Sequence, residues 1–275
     1  MTPKIAIRDV TKVFGRRAPE GLAMVEAGAD KAEILARTGC TVGLKHVSLD
    51  IPEGQVFAIM GLSGSGKSTL ARHINRLIDP SAGAIIVDGD DIMRLDAKAL
   101  RAFRRRKVSM VFQGFGLLPH RTVLQNAAFG LIARGEAKKE AYSKAQAWLE
   151  RVGLAGYEAQ RPAELSGGMR QRVGLARALA ADTDILLMDE AFSALDPLIK
   201  VEMQDLLLDL QRDLKKTIVF ITHDLDEAVR LGDAISVMKD GEIAQTGTPS
   251  EILEHPANDY VARFVRRGGG ARRKT

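Results

Sequence analysis

The chain has 275 residues, 45% of them apolar and 27% charged, with a formal net charge of +5. That is an ordinary soluble composition, long enough for one large α/β domain with additions and a substantial core. The single cysteine, Cys40, excludes an internal disulfide. Apolar runs such as 56–60 and 185–188 fall far short of the roughly 20 residues that span a bilayer, and Met1-Thr2-Pro3-Lys4-Ile5 lacks the apolar core of a signal peptide, so a cytoplasmic protein is expected.

Residues 5–10 and 47–51 alternate like half-exposed antiparallel strands. Between them, 15–43 is too long for a hairpin loop. Asp30 followed by Glu33 resembles a capping box, and Ile34, Leu35 and Gly39 continue into a short helix with a glycine stop. An ordered helical insertion is expected there. A continuously apolar strand at 56–60 precedes a glycine-rich loop and a helix over 68–78.

The basic cluster 101–107 carries Leu100 and Phe103 beside it and runs into a strand at 108–112. It reads as a solvated helix face rather than a nucleic-acid groove. From 114 to 165 the strand signal vanishes, and helices near 123–132 and 138–152 mark an inserted helical subdomain. Buried strands return at 185–188 and 217–221. Short strands alternating with helices make this an α/β chain with a mainly parallel sheet, one domain over residues 1–265. A basic, glycine-containing stretch, 266–275, reads as a loose solvated tail.

Gly61-Leu62-Ser63-Gly64-Ser65-Gly66-Lys67-Ser68-Thr69 follows one strand and opens a helix, the context of a phosphate loop. Its glycines let backbone amides approach phosphate, Lys67 reaches the β- and γ-phosphates, and Ser68 offers its hydroxyl to Mg²⁺. ATP and Mg²⁺ are therefore the expected ligands. Asp189 ends a buried strand and suits a metal ligand, while Glu190, one residue beyond, is placed to polarise a water for attack on the γ-phosphate. Gln113 and His223 also follow apolar strands, where α/β sites collect. A glutamine there holds water and metal, and a histidine contacts the γ-phosphate.

The run Leu165-Ser166-Gly167-Gly168-Met169-Arg170-Gln171-Arg172 is a second glycine turn opening a helix, hence a second anion cradle. One nucleotide does not need two cradles from one subunit, so the run implies a second copy that shares the site.

Together with Ser193-Ala194-Leu195-Asp196, these motifs resemble the ATP-binding subunit of ABC transporters over essentially residues 3 to 265. The resemblance implies an ABC-type phosphate-loop ATPase with an antiparallel β-subdomain beside the main sheet. By it, Gln113 couples the site to a membrane partner. Ser166, Gly167 and Gly168, with Leu165 and Gln171 in the same run, form the signature that meets the γ-phosphate across a dimer. Ser193 to Asp196 form the loop between the two sites, His223 is the switch histidine, and Phe14 stacks on adenine. Within the family the chain is most similar to ATPase subunits of quaternary-amine uptake systems, on the 15–43 insertion, 117–124, 189–200 and 256–261. That likeness implies permease partners, a periplasmic or lipid-anchored solute-binding protein, no nucleic acid, and a peripheral place on the cytoplasmic face of a bacterial membrane. Other ABC ATPases, of different cargo or of export, and a nucleic-acid-associated one stay open on the residues alone. Many relatives continue into paired CBS regulatory modules. This chain carries the basic stretch there instead.

Overall fold

A computed structural model describes residues 2–268. Strand β1 (Ile5–Phe14) leads into helices α1 (Ala18–Glu26) and α2 (Lys31–Thr38), then β2 (Thr41–Ile51), β3 (Val56–Met60), α3 (Lys67–Ile74), β4 (Ala82–Val87) and β5 (Asp90–Asp91). Next come α4 (Ala97–Arg106), β6 (Val108–Val111), α5 (Val123–Ala127), α6 (Phe129–Ala133), α7 (Lys138–Arg151), α8 (Gly167–Ala180), β7 (Ile185–Asp189) and α9 (Pro197–Leu214). The chain closes with β8 (Thr217–Thr222), α10 (Leu225–Leu231), β9 (Ala234–Lys239), β10 (Glu242–Gly247), α11 (Pro249–Glu254) and α12 (Asp259–Gly268). The residues form two compact units: one from the two chain ends, up to Asp96 and from Ile221 onward, the other Ala97–Phe220.

In the first unit, β2, β1, β4 and β5 make an antiparallel sheet. Every residue of β3 is buried, as a strand covered on both faces must be. It pairs in parallel with β9, which pairs antiparallel with β10. Ala58, Met60, Ile235 and Val237 pack with Leu225 and Ala228 of α10, Ile252 of α11 and Val261 of α12.

The expected insertion is two helices rather than one, and it is shorter than 15–43. Strand β1 runs on to Phe14 and pairs it with Thr41 of β2, so only residues 15–40 lie outside the hairpin. The helices bury Val25, Ile34 and Cys40 against Val13 and Val42. The capping box is half formed: Asp30 accepts the Glu33 N–H at 2.7 Å, but the Glu33 carboxylate pairs with Arg37 at 3.0 Å instead of reaching back. Gly39, at φ 69°, closes α2. Helix α3 stops at Ile74 rather than 78, because Arg76 turns left-handed at φ 50° and its guanidinium is tied to the carbonyls of Ile92 and Leu95.

In the second unit, β6 and β7 pair in parallel, Val108 opposite Ile185. The expected single helix over 123–132 is two, α5 and α6, separated at Ala128. A helical subdomain ending at 165 is also too short. Its core takes Val123, Ala127 and Leu131 from α5 and α6, Ala141, Ala145 and Leu149 from α7, and Val173, Ala176 and Ala180 from α8. A boundary at 165 would strip α8 from the helices it packs against.

Helix α4 buries none of its residues, in keeping with a solvated basic face. Helix α12 carries the chain through Gly268, three residues into the expected tail. The rest of that expectation, 269–275, lies outside the described residues. Among the described residues no helix is long and apolar enough to cross a membrane.

Leu149 is fully buried at the centre of the helical core. Leu149→Ala is expected to lower unfolding free energy by about 2–5 kcal/mol in urea titration; a loss under about 1 kcal/mol would contradict this packing.

Candidate functional site

The glycine loop sits between β3 and α3, held at both ends by close backbone approach. A Cβ on Gly61 would lie 2.4 Å from the Met238 carbonyl oxygen, and one on Gly66, at φ +101°, 2.7 Å from that of Gly43. Lys67 is buried, and its ammonium donates to the Gly61 and Leu62 carbonyls at 2.9 Å each. The start of α3 has no side-chain cap, as α1, α6 and α7 have none, whereas α2, α8, α9, α10 and α11 are each capped by a side chain. The buried Ser65 hydroxyl also lacks a partner among the described residues. A helix start without a side-chain cap, the Ser65 hydroxyl and a lysine folded over the loop form a cradle suited to an anion. Ser63 and Gly64 are exposed at its mouth, and Ser68 and Thr69 are half-buried on the first turn of α3.

Phe14 ends β1 beside this cradle. Its ring lies over Gly43, where a Cβ would meet Cε2 at 2.7 Å, and Lys12 Nζ sits 5.1 Å from the ring centroid. Gly43, whose carbonyl abuts Gly66, thus joins the aromatic to the loop. Sequence reasoning missed it because it stands at the expected edge of the insertion. His223 is exposed directly after β8. Behind it, Thr222 hydrogen-bonds the buried Glu227, and Asp224 donates its N–H to the Thr222 hydroxyl at 3.0 Å.

The second unit brings Gln113 and Glu190 together: the Gln113 amide donates to Glu190 Oε2 at 3.1 Å. Glu190 holds the left-handed conformation, φ 47°, with its carbonyl accepting both the N–H and the hydroxyl of Ser193. Asp189, one residue earlier, is buried.

The run 165–172 divides. Leu165 packs into the helical core, and Gln171 is fully buried with both amide atoms unpartnered among the described residues. Ser166 is exposed and Gly167 has open space around it. Gly168 lets α8 approach α9, since a Cβ would lie 2.6 Å from Ile199. Exposed Ser193, Ala194 and Asp196 and half-buried Leu195 lie just before that contact, and Asp196 caps α9 through the Ile199 N–H. The signature turn and the 193–196 turn are therefore neighbours.

Arg177 of α8 donates to the Gly116 and Phe115 carbonyls at 2.7 and 3.2 Å, and Arg170 lies 5.2 Å from the Phe115 ring. Burial lowers the Arg177 pKa, so those carbonyls compensate a desolvated charge. The loop after Gln113 is thus fastened to the helix that opens with the signature, a link with no sequence spacing to betray it.

Residues 44–193 match the family model described as ABC transporter. The chain is 57% identical over 262 residues to the glycine betaine transport ATP-binding protein OpuAA of Bacillus subtilis, covering 95% of this chain and 63% of the relative. It is 55% identical over 262 residues to the glycine betaine/carnitine transport ATP-binding protein GbuA of Listeria monocytogenes, covering 95% and 66%. The chain thus spans a little under two thirds of the length of these relatives. In structure it is similar to the dimeric bacterial ABC transporter cassette MJ0796, with a TM-score of 0.75 and 34% identity over 89% of this chain and 98% of that one.

Gly61→Ala drives a methyl group into the Met238 carbonyl. The variant is expected to lose at least about tenfold in affinity for fluorescent ATP while remaining folded, a cost of about 1.4 kcal/mol or more; unchanged affinity would show that the close approach does not matter.

Proposed function

Since the chain belongs to the ATP-binding subunits of ABC transporters, we propose that it hydrolyses ATP to power import of a quaternary-amine osmolyte such as glycine betaine or choline through permease subunits. The observation that carries the ATP reading is the glycine loop gripped by backbone at Gly61 and Gly66, with Lys67 bonded to the loop's own carbonyls. The relatives' names support the cargo.

In this reading the 61–69 loop wraps the triphosphate and Lys67 gives up its carbonyls for the β- and γ-phosphates. Ser68, Asp189 and Gln113 offer the hard oxygens that Mg²⁺ prefers, and the cation neutralises phosphate charge when bound. Glu190 takes a proton from the water that attacks the γ-phosphorus. The bond to the β-phosphate oxygen breaks, leaving ADP and phosphate. Gln113, hydrogen-bonded to Glu190, orients that carboxylate, and His223 contacts the γ-phosphate. Phe14 stacks on adenine.

Ser166, Gly167 and Gly168 of a second copy complete each site, so two ATP molecules hold two copies together until hydrolysis releases them. Closing and opening then bias the permease between its two states. The helical core and the 113–122 loop supply the surface for the permease, at the cytoplasmic face of the membrane. A solute-binding protein outside it selects the cargo.

Glu190→Gln keeps the size of the side chain and removes the base. ATP affinity is expected to stay near that of the unaltered protein, while turnover falls at least about 100-fold and gel filtration with ATP shows a persistent dimer. Normal hydrolysis by this variant would sink the assignment of the base. In the reconstituted complex, a quaternary amine is expected to stimulate ATP hydrolysis. No response to glycine betaine, choline, carnitine or trimethylamine oxide would overturn the cargo and leave the ATPase reading standing.

A further inference from the structure

Helix α12 meets the phosphate loop from behind. Asn258 starts the helix by accepting the N–H groups of Tyr260 and Val261 at 3.1 Å each. Val261 is fully buried, which anchors the helix to the β3 and β9 core, with Tyr260 and Phe264 packed against the same cluster. The two rings meet edge to face at 5.3 Å, and Lys239 Nζ lies 5.4 Å from the Tyr260 centroid. The fully buried Val261, next in the chain, sets where the phenol stands, and the Phe264 ring flanks it.

Its hydroxyl lies between two backbones. Tyr260 Oη donates to the Met238 carbonyl at 3.1 Å, and the polar backbone of Leu62 lies near enough to the same oxygen to oppose the rise in its pKa. Met238 supplies the carbonyl that Gly61 approaches so closely, and Leu62 is the next residue of the loop. Around the phenol, Leu62, Ser63, Gly64, Arg263 and Phe264 line a cavity of about 410 Å³, so the loop is not packed solidly against α12. The phenol is the polar group between them, bonded to the Met238 carbonyl that Gly61 approaches.

We propose that Tyr260 is a positioning residue for the phosphate loop, holding residues 61 and 62 in the conformation that receives the triphosphate. This rests on the reading of 61–69 as the ATP site. A glycine-rich loop loses backbone freedom when it closes on phosphate, and a contact that orders it beforehand removes part of that cost from binding. Burial raises the Tyr260 pKa, so the hydroxyl stays protonated and keeps donating at working pH. An aromatic that merely filled the core would leave ATP affinity alone when its hydroxyl was removed.

Tyr260→Phe deletes the hydroxyl and keeps the ring, and Phe264→Leu disturbs the same packing without touching either backbone. Both are made in the full chain and compared with the unaltered protein for binding of fluorescent ATP, for KM and kcat, and for melting without nucleotide. Tyr260→Phe is expected to weaken ATP binding and raise KM about three- to tenfold. Its kcat at saturating ATP should stay within about twofold, with melting nearly unchanged. Phe264→Leu is expected to lower the melting temperature and keep ATP affinity. Unchanged affinity in Tyr260→Phe overturns the proposal, as does an affinity loss that Phe264→Leu reproduces alongside its loss of melting temperature. Failure of the unaltered protein to bind ATP would overturn the nucleotide reading, and this proposal with it.

Discussion

The close approach of backbone to backbone at the two ends of the phosphate loop is the constraint on which the first unit depends. Gly61 against the Met238 carbonyl and Gly66 against the Gly43 carbonyl leave no room for a Cβ, so the loop is gripped by β9 on one side and β2 on the other. Between those grips no side chain caps the start of α3, which leaves a typical helix start less stable by about 1 kcal/mol. A bound anion would return that stability. A loop anchored only by its own glycines would be ordered anew at each binding event and would bind less tightly.

The second unit stores strain of a different kind. Glu190 in the left-handed region costs on the order of 1–3 kcal/mol, and the conformation persists because Ser193 binds its carbonyl twice while Gln113 holds its carboxylate. Removal of an acidic side chain here leaves the strained backbone but frees its partner amide, so Glu190 and Gln113 should not behave independently. The contact of Gly168 with Ile199 has a similar logic. A small residue brings two helix starts together, and the turns before them lie side by side.

Much of the fold could be read from the chain because its clearest strands, β3, β7 and β8, are buried on both faces and therefore continuously apolar. The phosphate loop was equally legible, since glycine, lysine and serine must recur at fixed spacing for the backbone to enclose phosphate. Helix α1 escaped notice because Pro19 and Gly21 sit in its first turns, where they resemble loop residues, although proline is welcome at a helix start. Strand β10 is mostly half-exposed, so its pattern is weak. Tyr260 could not be found at all. A hydroxyl bonded to a backbone carbonyl 22 residues away in β9 leaves no periodic trace. The burial of Leu165 and Gln171 was hidden for a related reason: a signature motif gives residue order, and only the helix phase decides which members face outward.

The register of the first hairpin carries a consequence for how such a protein can change. Phe14 stands opposite Thr41, so the two feet of the α1–α2 insertion rest on neighbouring positions, about 5 Å apart as in any antiparallel pair. A graft with such a narrow base can grow, shrink or be exchanged without sliding one strand past the other, because closing a longer loop adds entropy cost only slowly. Its feet nevertheless stand next to Phe14 and Gly43, the aromatic and the glycine that flank the loop. Whatever leans on the graft leans, through two residues, on the nucleotide pocket, and the hairpin is thereby a lever with a short arm.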